Sequence, residues 1–75
     1  MNFPTYILRG LDQNGETFYY TGRAGEGWLT RDTREAFTYT SQAMARSRAQ
    51  NFNRHEALHG MWFIPMPAGA VQEVR

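Results

Sequence analysis

Residues 5–11, TYILRGL, are apolar and β-prone, with side chains that would alternate between two faces of a strand. Tyr6 and Leu8 would point to one side, Ile7 and Arg9 to the other. ETFYYTG at 16–22 repeats the pattern, with Phe18 and Tyr20 opposing Tyr19 and Thr21. Between the two runs lies DQNG. Its Asn14-Gly15 pair tolerates the positive φ values of a tight turn, so the strands are expected to pair as an antiparallel hairpin. From Arg23 to Ala36 the pattern is lost, because Gly22, Gly25 and Gly27 interrupt any regular element. Within that stretch Asp32-Thr33-Arg34-Glu35 has capping-box spacing and predicts a single helical turn. FTYT at 37–40 reads as extended.

A helical period then takes over in SQAMARSRAQNFNRHEAL, residues 41–58, with Thr40 or Ser41 as its cap and Gly60 as its stop. Ala45, Ala49 and Phe52 fall on one stripe, while Arg46, Gln50 and Arg54 lie on other faces. Two small residues on the stripe let the helix approach a sheet closely, and Phe52 anchors it. MWFIPM at 61–66 reads as a third strand, apolar on both faces and ended or frayed by Pro65 and Pro67. In the tail, 68–75, weak alternation at Val71 and Val74 suits a loose end or a short extra strand.

The expected fold is therefore one α+β domain over residues 1–75. Its order is β-β-α-β: an antiparallel three-stranded sheet with one helix packed on one face. A single helix leaves the other face open. That face should carry Ile7, Arg9, Tyr19 and one of Trp62 or Phe63, a mixture that on a small domain marks a partner-binding surface.

Composition narrows the possible functions. The 75 residues suffice for one core, and 41% are hydrophobic. There is no cysteine, which excludes disulfides, thiolate zinc sites and a cysteine nucleophile. Met1-Asn2-Phe3-Pro4 lacks the basic start and following apolar run of a signal peptide, and Met61–Met66 is too short to span a bilayer. Formal net charge is +1, and every basic residue is an arginine. Near-neutrality argues against a strong non-specific DNA binder and equally against an acidic DNA mimic.

Candidate chemistry is sparse. His55-Glu56-Ala57-Leu58-His59 matches H-E-x-x-H, whose histidines on one helix face can hold zinc while the glutamate acts as a base. A catalytic site needs a third ligand and a cleft, however. No third histidine exists, only Glu73 follows the motif as a carboxylate, and Gly60 comes immediately after His59. The expectation is no metal and no cofactor, with His55 and His59 the lone candidates and a helix C-terminus the competing explanation.

GRAGEG at 22–27 could form an anion nest but lacks the lysine and hydroxyl of a P-loop. It reads instead as a flexible connection whose glycines allow a turn; its functional alternative is a contact loop presenting Arg23, Glu26, Trp28 and Arg31, which include the tryptophan and arginine enriched at binding hot spots. Arg46, Arg48 and Arg54 on the helix form a solvated face or, alternatively, contact a nucleic-acid backbone with aromatic help. Neither Ser41 nor Ser47 lies in a nucleophile motif, so no catalytic residue is assigned.

Tyr19–Gly22, Gly25–Trp28 and the helix residues Ala45, Ala49, Phe52 and Asn53 together resemble short proteins of phages and mobile elements. Size and architecture are also similar to anti-CRISPR proteins. That resemblance implies a non-enzymatic inhibitor in the cytoplasm of a bacterial host cell, monomer or homodimer, that docks sterically on a larger host protein or CRISPR effector complex. The expected docking residues are Arg23, Trp28, Arg31, Tyr19 and Arg9. The alternative is a small nucleic-acid-binding protein using Arg46 and Arg54, and a minimal zinc enzyme through the HEALH motif is more remote.

Overall fold

A computed structural model describes residues 4–69. Four strands form one antiparallel sheet: β1 (Tyr6–Asp12), β2 (Thr17–Tyr20), β3 (Leu29–Thr30) and β4 (Met61–Pro67), in the order β3-β2-β1-β4. Helix α1 (Gln42–Arg54) lies across the sheet on β4 and β1, and a short α2 (Glu56–His59) leads into β4. The architecture is α+β, with one strand more than the alternation predicted. β3 has only two residues, paired as Tyr19 with Thr30 and Tyr20 with Leu29. Two residues carry no readable period, so the strand is visible only once β2 provides its partner.

The expected parity of β1 and β2 holds. Gly10 stands opposite Phe18 on one side and Phe63 on the other, so Leu8, Gly10, Phe18, Tyr20 and Phe63 share the helix-facing side. The core is Leu8, Tyr39, Ala45, Ala49, Met61 and Phe63, ringed by Tyr6, Phe18, Tyr20, Trp28, Leu29 and Phe52. Burying Leu8 or Phe63 contributes roughly 1.5–3 kcal/mol each. Ala45 and Ala49 are buried as the stripe requires, which brings the helix backbone close to the sheet. A side chain at Gly10 would collide with the ring of Phe63, so the missing Cβ makes the room that this ring fills.

The hairpin is looser than Asn14-Gly15 implied. Residues 13–16 connect the strands, and Gly15 alone takes a positive φ, +82°. Asp12 organises the loop: its Oδ1 accepts from the N–H groups of Asn14 (2.9 Å) and Glu16 (2.8 Å). The carboxylate thus does locally what a tighter turn would have done with backbone alone. The helical turn expected near residue 33 is present as a 3-10 turn, Thr33–Glu35, capped by Asp32. Ser41, not Thr40, caps α1 through the N–H of Met44.

Two expectations at the C-terminal end are corrected. The helix does not run unbroken to Leu58: it stops at Arg54, and His55 (φ −111°, ψ 24°) separates α1 from α2. Leu58 is 83% exposed, so no packing draws residues 56–58 onto the α1 axis. β4 also continues through Pro65 and Pro67 instead of ending at them. It is an edge strand, and both prolines occupy positions whose N–H would point away from β1, where no ladder bond is lost. Val71 and Val74 lie outside the described residues.

Candidate functional site

The uncovered face of the sheet is built from the odd positions of β1 and the even positions of β4. Register sets Leu11 opposite Trp62, Arg9 opposite Ile64, and Arg9 opposite Tyr19 on the other side. Leu11, Trp62 and Ile64 are 44%, 50% and 47% exposed. They adjoin one another, so the exposure is a contiguous patch and not scattered single residues. The parity of β4 explains which aromatic is outside. Phe63 pairs with the inward Gly10 and is buried, whereas Trp62 pairs with the outward Leu11. Ile7 shares this face by register but is covered, at 2% exposure, and does not contribute to the patch. Arg9 and Tyr19 are half-buried along its border toward β2, and Arg9 forms no ion pair among the described residues.

The expected docking residues are divided between two sides of the molecule. Arg9 and Tyr19 sit on the outer sheet face. Trp28 lies on the helix side, its ring 5.6–5.7 Å from those of Phe52, His59 and Phe63. There it belongs to the wall of the core. Arg31 stacks 4.6 Å above Phe18 and pairs with Glu16, so its charge is already matched. Arg23 lines a shallow recess of about 410 Å³ with Tyr20, Trp28 and Phe52. A single flat partner surface therefore cannot engage all five residues at once. Leu11 and Ile64 were not singled out by the sequence, although their places at outward parity were the available signal.

The HEALH motif resolves into a corner. Nδ1 of His59 accepts the N–H of Met61 (3.1 Å), which leaves Nε2 to donate to the carbonyl of Phe52 (2.8 Å). Both ring nitrogens are thereby used by the backbone, and the ring packs edge-on against Trp28 and Phe63. His55 is exposed at the helix break, so the two histidines do not share one helical face. Among the described residues no three His, Asp or Glu side chains are grouped to hold a metal ion.

The outward edge of β4 is closed to pairing. Phe63 exchanges both backbone bonds with the Asn53 carboxamide, His59 takes the N–H of Met61, and Pro65 and Pro67 have none to offer. On α1, Arg46 and Arg54 are exposed and form no ion pair among the described residues, while Arg48 lies 5.9 Å from the ring of Phe52. No described helix is long and apolar enough to cross a membrane. No family model, no curated protein and no solved structure matches this chain.

Proposed function

We propose that this protein is a non-enzymatic binding module that docks on a larger protein through the outer face of its sheet. Leu11, Trp62 and Ile64 form the apolar centre, with Arg9 and Tyr19 as its polar contacts. The observation that carries this reading is the contiguous exposed apolar trio on a sheet whose opposite face is filled by α1. Covering such a patch releases water from apolar surface, and tryptophan, tyrosine and arginine are the residue types enriched at energetic centres of interfaces. The closed edge of β4 argues that docking uses side chains on the sheet face and not an added strand. Arg23, Trp28 and Arg31 on the opposite side are then outside the contact.

The resemblance to phage and mobile-element proteins makes an effector complex of a bacterial defence system the partner to try first, with steric blocking as the mechanism. Purified effector complexes, CRISPR complexes foremost, would be titrated with the protein and followed by calorimetry and by target-DNA binding. The expected result is a stoichiometric complex that Trp62→Arg or Ile64→Glu weakens at least about 30-fold, corresponding to roughly 2 kcal/mol or more for a hot-spot residue. Arg23→Ala should leave it intact. Complex formation indifferent to both outer-face substitutions would refute the reading.

A further inference from the structure

One flank of α1 overhangs the closed edge of β4. Arg46, Gln50 and Arg54 follow each other there at intervals of four residues, so their stems rise along one line with about 12 Å between the outer two. Gln50, Asn53, Arg54 and Trp62 line an open recess of about 370 Å³ between the helix and the strand. α1 contains three arginines and no aspartate or glutamate. Its nearest acid, Glu56, is exposed and pairs with neither Arg46 nor Arg54. The chain is near neutral as a whole, but five of its acids lie between residues 12 and 35, away from this helix in sequence.

What the groove offers is set by what the edge has already used. The N–H and C=O of Phe63 are taken by Asn53 and the N–H of Met61 by His59, and Pro65 and Pro67 have no N–H, so an extended peptide finds no free donor along this edge. Remaining are a half-exposed indole and, among the described residues, a carboxamide at Gln50 without a hydrogen-bond partner and two guanidinium groups without carboxylate partners. An indole face stacks on any unstacked base. The guanidinium fork matches two oxygens of a phosphate, and a carboxamide can donate to and accept from a base edge. We infer that this groove binds single-stranded nucleic acid, with one base stacked on Trp62, its phosphate at Arg54 and the strand running toward Arg46. A duplex keeps its bases stacked on one another and cannot present one to Trp62 without opening.

The test uses the full chain with fluorescently labelled twelve-nucleotide oligo-dT and oligo-U, followed by anisotropy from 20 to 200 mM salt. The expected result is binding at low salt that falls with a logarithmic slope near −1.4, about −0.7 for each phosphate neutralised on a single strand. Arg54→Gln and Arg46→Gln should each reduce that slope by about 0.7. Trp62→Ala should weaken binding roughly tenfold or more, and Trp62→Phe should restore most of it. Tyr19→Ala, on the outer face of β2 with β1 between it and β4, should leave oligonucleotide binding unchanged while weakening the protein docking proposed above. No binding at 20 mM salt, a preference for duplex, or equal binding by the wild type and the Trp62→Ala variant would overturn the inference. The last outcome would indicate unspecific attraction to a polyanion.

Discussion

The carboxamide of Asn53 closes on the backbone of Phe63 from both sides: the Phe63 N–H donates to Oδ1 at 2.7 Å, and Nδ2 donates to the Phe63 carbonyl at 2.9 Å. A neighbouring strand would make the same two bonds. A helix side chain thus stands in for a fifth strand and ties α1 to the sheet at the residue that fills the core.

Replacing Asn53 with alanine leaves a part-buried N–H and C=O without partners. The expected cost is about 2–3 kcal/mol, or roughly 10–20 °C in Tm for a domain of this size. The freed edge should also promote association, so the variant's sedimentation should depend on concentration more strongly than the wild type's. Thermal melts and analytical ultracentrifugation check the two effects separately.

His59→Ala should destabilise by about 1–3 kcal/mol, since the ring joins the end of α1 to the start of β4 and its loss orphans Met61 N–H and leaves Phe52 C=O with the His55 N–H alone. His55→Ala, at an exposed position, should change stability by no more than about 0.5 kcal/mol. Zinc or a chelator should leave the melting temperature of the wild type where it is, because a metal would have to displace one of those backbone bonds. A stoichiometric zinc-induced rise in Tm that requires His59 would contradict the structural role.

Tyr39 supplies the alkaline sensitivity. It is 7% exposed, and burial raises its phenol above the ordinary value near 10, with Arg48 beside it pulling weakly the other way. Above pH 10 the unfolded chain therefore gives up this proton before the folded one does. Stability from the buried neutral phenol is complete below that pH and declines as pH rises through the folded value. Denaturant midpoints from pH 8 to 11 should fall more steeply for the wild type than for Tyr39→Phe.

Gly10→Ala tests the fit beneath α1. The new Cβ would stand 2.7 Å from Cε2 of Phe63 and 2.8 Å from the terminal methyl of Met61. Phe63 is fully buried and cannot swing away, so overpacking of about 1–3 kcal/mol is expected in denaturant titration. Gly15→Ala in the hairpin meets no atom but takes a positive φ, so its cost should be the smaller conformational one of about 1 kcal/mol.

Much of this molecule is local and was legible in the order of its residues. The two faces of β1 and β2, the hairpin near Gly15, the Ser41 cap, the 3-10 turn after Asp32 and the Ala45, Ala49, Phe52 stripe depend on neighbours within a few positions. Alternation and helical period report those neighbours directly. Tertiary structure decided the rest, because each remaining feature depends on a partner distant in sequence. Leu29-Thr30 becomes a strand only beside β2. Pro65 and Pro67 fit a strand only because β4 is at an edge and they face outward. The parity of β4 relative to Gly10 chose Trp62 over Phe63 for the surface and joined it to Leu11 and Ile64. His59, two residues before Met61 and seven after Phe52, could satisfy both backbones only after the chain broke at His55. That break turned a metal-like motif into a corner. Arg9 and Tyr19 parted from Arg23, Trp28 and Arg31 for the same reason: a sheet has two sides, and only the packing of α1 determines which one meets water.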